Sequence, residues 1–371
     1  MKKRILITGG AGFIGSHLVD ELVGNGYDVR ILDNLLAQVH GCGGEPPAYL
    51  PPEAEFMYGD VRDKEAVRKA LKDVDAVFHF AAAVGVGQSM YEIEKYTDIN
   101  AAGTAVLLEA VIERPVGKLI VASSMSVYGE GMYRSSKGAI VVDANRSIAQ
   151  LKASRWEPGD GNGGLLHPVP TPESKPPALA SVYALLKYAQ ERMCLMIGRT
   201  YRIPTVALRF FNVYGTRQAL SNPYTGVLAI FASRFLNEKP PVLFEDGNQR
   251  RDFVCVLDVV RACRLALETD CDQEVFNIGS GSAHSVLQVA DLMAEILNKP
   301  HLEPIVSNKY RIGDIRHCFA DISKAGSILG YVPGVALKDG LRDFAQWLEG
   351  RQASDNVDSV NAELALRGLT V

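Results

Sequence analysis

The chain reads as an α/β protein, a doubly wound parallel sheet followed by a smaller C-terminal α/β lobe. Three observations say so. An apolar run at residues 4–8 breaks directly into G-G-A-G-F-I-G. Strand-like and helix-like segments then alternate as far as residue 124. Residues suited to ligand contact recur at the carboxyl ends of those strands, where a doubly wound parallel sheet binds its ligands.

Residues 4–8 supply the first strand, and Gly9, Gly12 and Gly15 lead into an apolar-periodic helix through Leu18, Leu22 and Val23. Glycine there lets a pyrophosphate approach the backbone at a helix N-terminus, where unpaired N–H groups and the dipole favour anions. A second strand at 28–32 ends in Asp33, and 33 − 15 = 18 residues separate Asp33 from Gly15. That is close to the ~20 expected for a carboxylate that accepts from an adenosine ribose. Asp33 would repel a 2′-phosphate, so NAD is expected over NADP.

After a Gly/Pro-rich loop at 34–52, a strand at 55–58 ends in G-D-V-R-D. Asp60 and Val61 stand where adenine would lie, and a helix cap at Asp63 is the competing use of that segment. A helix at 66–71 and a strand at 76–80 follow, then the small-residue turn Ala81, Ala82, Ala83, Val84, Gly85, suited to lie beneath a cofactor. Asn100 opens an Ala/Leu-rich helix to 110, and the strand at 118–123 carries Ser124.

A formal charge of −4 with interspersed signs gives no basic stripe for nucleic acid. The apolar run after Lys2, Lys3 and Arg4 is too short for a secretory segment, no membrane span is expected, and the cytoplasm is the expected compartment. Cysteines at 42, 194, 255, 263, 271 and 318 lack C-x-x-C spacing. Reduced thiols and no metal site are expected.

Tyr183 and Lys187 stand four apart in S-V-Y-A-L-L-K-Y, on one helix face. A free tyrosine titrates near ~10, and a neighbouring ammonium favours the phenolate, so the pair offers a base acidified toward about 7. Ser124, folded against it, would hold a substrate hydroxyl while a proton and a hydride leave. Alcohol–ketone chemistry is the implied reaction.

The segments T-G-G-A-G-F-I-G, D-N, G-D-V-R-D, H-F-A-A, S-S-M-S-V-Y-G, Y-A-L-L-K, L-R-F-F-N-V-Y-G and R-D-F-V, in this order over residues 4–349, resemble the extended short-chain dehydrogenase/reductase superfamily in its nucleotide-sugar epimerase/dehydratase branch. The resemblance implies NAD held by Gly9, Gly12, Phe13, Ile14, Gly15, Asp33, Asn34, Asp60, Val61, Phe80, Ala81, Ala82, Asn100, Ser123, Tyr183, Lys187 and Phe210. It implies Tyr183 as acid/base, Lys187 on the nicotinamide ribose and Ser124 as hydroxyl-positioning partner. A dTDP- or UDP-linked sugar is the implied substrate, against Val84, Ser124, Met125, Asn212 and Asp314, with Arg251 and Arg311 clamping its diphosphate. Two guanidiniums suit that task chemically; a salt bridge from Arg251 to Asp252 or Asp258 is the alternative.

In the 4,6-dehydratases of this branch an Asp-Glu pair follows the catalytic Thr, and in the UDP-glucuronate decarboxylases a glutamate takes the place of Ser126. Met125 and Ser126 stand there instead, which leaves 4-epimerisation. Long inserts, N-P-Y-T-G-V and F-E-D-G-N-Q-R-R-D-F resemble dTDP-L-rhamnose 4-epimerases, so dTDP-L-rhamnose and dTDP-6-deoxy-L-talose are the expected pair. UDP-glucose/UDP-galactose is the alternative, dehydration a weaker one, and a dinucleotide-binding sensor without turnover the reading from a different class.

The gap from Ser124 to Tyr183 is 183 − 124 = 59 residues; the extra segment, 131–170, reads as a flap over the sugar or as surface decoration. Cys318 reads as a small pocket residue or an ordinary core residue. The division expected is 1–205 for the NAD-binding domain, 206–350 for the sugar-nucleotide lobe, with the chain crossing between them, and 351–371 for a tail without assigned function. Surplus apolar residues at Ala101, Ala102, Leu107, Leu108, Met193, Leu195 and Met196 point to a homodimer through a four-helix bundle.

Overall fold

The computed structural model describes residues 2–161, 164–222, 224, 226–311 and 313–370. Outside the described residues lie Met1, Asn162 and Gly163 of the insertion, Pro223 and Thr225 of N-P-Y-T-G-V, Ile312 of R-I-G-D-I-R-H, and Val371.

Seven parallel strands form the central sheet: β1 (Arg4–Thr8), β2 (Asp28–Asp33), β3 (Glu55–Tyr58), β4 (Ala76–His79), β5 (Lys118–Ser124), and then Thr205–Phe210 and Glu274–Ile278. Their spatial order is β3-β2-β1-β4-β5 followed by the last two. Ile5 pairs with Val29 on one side and Ala76 on the other. The chain reverses direction across the sheet between β1 and β4, and that reversal opens a crevice at the strands' carboxyl ends. Every residue of β5 is buried, as a parallel strand covered on both faces requires.

One face is covered by helices Phe13–Gly24 and Val256–Glu268, whose Leu18, Leu22, Val259 and Cys263 pack with Ile5, Ile31 and Phe78. On the other, Val67, Leu107 and Cys194 of helices Lys64–Ala70, Gly103–Glu113 and Val182–Tyr201 pack with Leu6, Val77 and Leu119. A third core joins helices Val227–Leu236, Val286–Ile296 and Leu337–Leu348 through Phe231, Met293 and Phe344. A cut at 205/206 falls inside strand Thr205–Phe210, and helix Val256–Glu268 and strand Glu274–Ile278 join the same sheet from later in the chain.

Among its described residues, the insertion has none that lines the crevice. It forms an antiparallel sheet of Ile140–Val141, Met132–Arg134 and His167–Val169, which docks sideways on the C-terminal lobe. Gly131 N donates to the carbonyl of His317 at 2.7 Å, Arg146 pairs with Glu245 at 2.6 Å, and Arg316 pairs with Glu157 at 2.5 Å. The tail is also structured: helix Val357–Leu366 buries Leu364, which lies against Gly87, while Glu363 accepts from Tyr224 at 3.3 Å.

The surplus apolar surface is smaller than the sequence suggested. Leu107, Leu108 and Leu195 are consumed by the chain's own core; Met196 stays exposed at 61 % and Leu185 at 51 %.

Candidate active site

A cavity of about 440 Å³ runs along the carboxyl ends of the sheet. At one end, helix Phe13–Gly24 begins after Gly12 with no side-chain cap, leaving its first N–H groups for an anion. A Cβ on Gly15 would stand 2.3 Å from the Gly9 carbonyl oxygen, and Gly9, at φ +71°, touches the Ala81 backbone. No side chain fits at either position, and the trough they leave suits a dinucleotide.

Asp33 accepts from Ala11 N at 3.0 Å and from Leu35 N at 2.9 Å, one bond to each oxygen. It therefore braces the glycine turn and keeps lone pairs for further donors. Asp60, also on the wall, accepts from Arg62 and Asn34; the Arg62 hydrogen bonds hold its carboxyl to about 2. Asp63 caps helix Lys64–Ala70, accepting from Glu65 N and Ala66 N. Gly12, Phe13, Ile14, Asn34, Val61, Ala82 and Ser123 line the cavity, as do Phe80 and Phe210, whose rings meet edge to face at 5.7 Å. Asn100 does not. It is fully buried and clamps the small-residue turn, accepting from Ala83 N at 2.7 Å and donating to Ala83 O at 3.0 Å.

Ser124, Tyr183 and Lys187 meet at the other end of the crevice, all on the wall and nearly buried. Ser124 ends β5 and caps the following turn, accepting from Ser126 N at 3.2 Å, with its hydroxyl 3.0 Å from that of Ser126. Helix Val182–Tyr201 is capped by Ser181, and Ser89 Oγ accepts from Tyr183 N at 3.0 Å. Those bonds fix the first turn, where Tyr183 sits. Val84, Met125 and Asn212 also line this cavity, and the Asn212 carboxamide oxygen is buried without a donor.

The electrostatics differ from the expectation of an acidified tyrosine. Burial pushes Tyr183 above its ordinary value, and a hydrogen bond with Ser124 draws it partly back. Burial pushes Lys187 down to about 8, against the opposing pull of Cys194 and Glu191. The lysine donates to Gln190 Oε1 at 2.7 Å, so its charge is directed into the protein as well as toward the site.

The two arginines are elsewhere. Arg251 donates to the carbonyls of Arg250 and Arg316 at 3.0 Å and to that of Ile315, with Asp314 at 3.5 Å. Arg311 lies over the Phe244 ring at 4.0 Å, its Nε buried without an acceptor. Among the described lining residues neither arginine appears, nor does Asp314. Asp252 and Asp258 do not pair with Arg251: Asp252 accepts from Ser280 and Gly281, and Asp258 from Arg261 and Gly334. Cys318 is a core residue, packed with Met125, Tyr128 and Phe211.

Sequence reasoning missed Tyr224, Gln218 and Asn222 on the wall, and Gln190, Thr104 and His79 beneath it. Gln190 had a signal: three residues after Lys187, it shares that helix face. The others come from segments far apart in sequence.

The family model for the NAD dependent epimerase/dehydratase family matches residues 5–143 and 159–279. The chain is 36% identical over 352 residues to a dTDP-L-rhamnose 4-epimerase of Burkholderia thailandensis, covering 93% of this chain and 95% of that one. Among solved structures, it resembles UDP-glucose 4-epimerase from Thermotoga maritima with UDP-glucose, at 35% identity and TM-score 0.74 over 93% of this chain and 98% of that one. It also resembles UDP-glucuronic acid 4-epimerase from Bacillus cereus, in complex with UDP-glucuronic acid and NAD, at 30% identity and TM-score 0.75 over 93% and 99%.

Proposed function

Because the chain belongs to the NAD dependent epimerase/dehydratase family, we propose that it is a nucleotide-sugar 4-epimerase interconverting dTDP-L-rhamnose and dTDP-6-deoxy-L-talose. One observation carries the choice of reaction. Among the described residues lining the cavity, the only carboxylates are Asp33 and Asp60. Asp33 ends β2 and Asp60 lies two residues past the end of β3, while Ser124 ends β5; three strand spacings of about 4.8 Å put β2 roughly 14 Å from β5. Water elimination needs a further acid and base beside the reacting carbons, and Met125 and Ser126 supply neither.

NAD is the cofactor of this enzyme; we assign it to the trough from Gly9, Gly12 and Asp33 to Lys187. Bound there, it supplies the hydride acceptor and donor at sugar C4. Tyr183 Oη takes the C4 hydroxyl proton and later returns it, while Ser124 orients that hydroxyl. Lys187 holds its ammonium at the inner end. Once the 4-keto sugar has turned its other face, return of the hydride to C4 would invert that carbon, and the proton from Tyr183 would restore the hydroxyl, with no net oxidation.

The dTDP-linked sugar rests on the Burkholderia relative; the Thermotoga structure with UDP-glucose supports UDP-glucose/UDP-galactose as the second reading. We also assign a homodimer to the face carrying Leu185 and Met196, eleven residues and three helical turns apart. The deciding experiment supplies dTDP-L-rhamnose deuterated at C4, and UDP-galactose in parallel, followed by NMR of the sugar ring protons. Label retained in dTDP-6-deoxy-L-talose is the expected outcome. Label lost to solvent would overturn the mechanism, and turnover of UDP-galactose alone would move the substrate.

A further inference from the structure

Behind Lys187 lies a closed chain of buried polar groups whose polarity can be assigned from its members. Lys187 Nζ, which can only donate, lies 2.7 Å from Gln190 Oε1, so the amide oxygen faces the lysine. Gln190 Nε2 then donates to Thr104 Oγ1 at 2.8 Å. Thr104 gives its own proton to the Asn100 carbonyl at 2.6 Å. His79 Nε2, 2.9 Å from Thr104 Oγ1, must therefore be the protonated nitrogen, which leaves Nδ1 to accept from Thr8 Oγ1 at 2.8 Å. A neutral ring is what this assignment requires, and burial with the nearby Lys187 charge holds His79 down to about 3. Gln190, Thr104, Thr8 and Asn100 are all 0 % exposed.

Both ends of this chain reach the cofactor trough. Thr8 immediately precedes Gly9 and accepts from Ala81 N at 3.3 Å. Asn100, whose carbonyl ends the run, clamps Ala83 with its side chain. We propose that Gln190 is a positioning residue for the epimerase reaction, through which the two trough turns fix the direction of the Lys187 ammonium. The inference rests on the reading of Lys187 as an essential group. One of three lysine N–H donors is tied to Gln190, which aims the other two toward the cavity that Lys187 lines. Without that acceptor the ammonium is free to swing, and it loses a charge-assisted hydrogen bond in a buried setting.

The titratable groups facing Lys187 are Glu191 and Cys194 from its own helix and His79 from β4. Of these, Gln190 touches only His79, with Nε2 3.3 Å from Nε2. Gln190→Leu should lower kcat about ten- to a hundred-fold, the range expected for loss of a hydrogen bond to a charged group, with the sugar-nucleotide KM within about three-fold. It should also move the basic limb of the kcat–pH profile to lower pH, because the ammonium loses a partner. Gln190→Glu keeps an acceptor and adds a negative charge, so the basic limb should move to higher pH and most of the activity should return.

Opposite displacements are the signature a purely structural role does not produce. Identical profiles in both variants, or an unchanged kcat in Gln190→Leu, would overturn the proposal. Should Gln190→Leu fail to fold, Thr104→Val removes the hydroxyl that orients Gln190, and the same downward displacement is expected; its absence there overturns the proposal equally. Lys187→Met separates the two levels: full activity in that variant defeats the reading of Lys187 itself, whereas inactivity there beside a normal Gln190→Leu defeats only the positioning role.

Discussion

The two ends of the site are built in opposite ways. At the reactive end, Ser124, Tyr183 and Lys187 are on the wall, their helix capped and their lysine anchored by a buried hydrogen-bonded chain. At the sugar-nucleotide end, the two arginines that would clamp a diphosphate point into the protein, Arg251 onto main-chain carbonyls and Arg311 onto Phe244. The only lysine or arginine side chains on the described wall are Lys95 and Lys187, and Lys95 is already paired with Glu92 at 2.6 Å. A diphosphate has no free guanidinium facing it there. The difference suggests that the chemistry is preorganised, while the grip on the substrate forms when the substrate arrives.

The reactive end should respond most strongly to mutation. Tyr183→Phe removes the phenol that meets Ser124 while preserving the ring that packs with Ala83 and Tyr96. Turnover should fall by on the order of 10² to 10⁴, with NAD binding and melting temperature unchanged. Single-turnover assay and calorimetry test this, and near-normal turnover would remove Tyr183 from the mechanism.

A smaller effect is expected at the other end. Arg251→Met should raise the sugar-nucleotide KM about ten-fold or more if the guanidinium leaves its carbonyls for phosphate, since charged hydrogen bonds of this type contribute about 1.5–3 kcal/mol each. The same variant should also lower the melting temperature, because the carbonyls of Arg250, Ile315 and Arg316 each lose the guanidinium as a donor. A lower melting temperature with unchanged KM would show that Arg251 is structural, and the contrast between the ends would dissolve.

How much of this was legible in the sequence follows from where each residue gets its position. Gly9, Gly15, Asp33 and Ser124 are placed by strand ends and tight turns, local features that a pattern of apolar runs and glycines encodes, and all line the cavity. Tyr183 and Lys187 share one helix, so spacing alone put them together. Arg251 and Arg311 take their direction from contacts with residues 315, 316 and 244, and no local pattern reports on such contacts. The expected acidification of Tyr183 failed for a related reason: four-residue spacing brings an ammonium near, but burial, which spacing does not reveal, dominates the phenol. The insertion was left open between a flap and surface decoration because its docking depends on Arg316, Glu245 and Glu157, with 159 positions of sequence between Glu157 and Arg316.

Asp33 offers a test at the cofactor end. Its two oxygens already take main-chain donors from Ala11 and Leu35, so the carboxylate cannot swing away to admit a 2′-phosphate without disturbing the glycine turn. NAD should bind at least about ten-fold more tightly than NADP, and Asp33→Ser should narrow that ratio. Calorimetric titration decides it; equal affinities in the unmodified protein would show that the carboxylate does not face the ribose.

The smallest effect on turnover is expected from the insertion, and pH is the means to isolate it. Burial alone would raise the Glu157 carboxyl, but hydrogen bonds from His317 and Arg316 prevail and hold it to about 2, below its ordinary 4.5. A carboxyl lowered on folding stabilises the docked state fully above pH 4.5, and that contribution drains away as pH falls toward 2. His317 acts in the same direction, since burial lowers it and acid must charge it within the contact. Hydrogen exchange in residues 132–134 and 167–169 should therefore quicken between pH 5 and 3 in advance of the central sheet. Glu157→Gln should show the quickened exchange already at pH 6, with less change on acidification. Its turnover at neutral pH should stay within about two-fold, because no described residue of 131–170 lines the cavity. A ten-fold loss of turnover in Glu157→Gln, with NAD binding intact, would instead make the insertion part of the catalytic cycle and return it to the role of a flap.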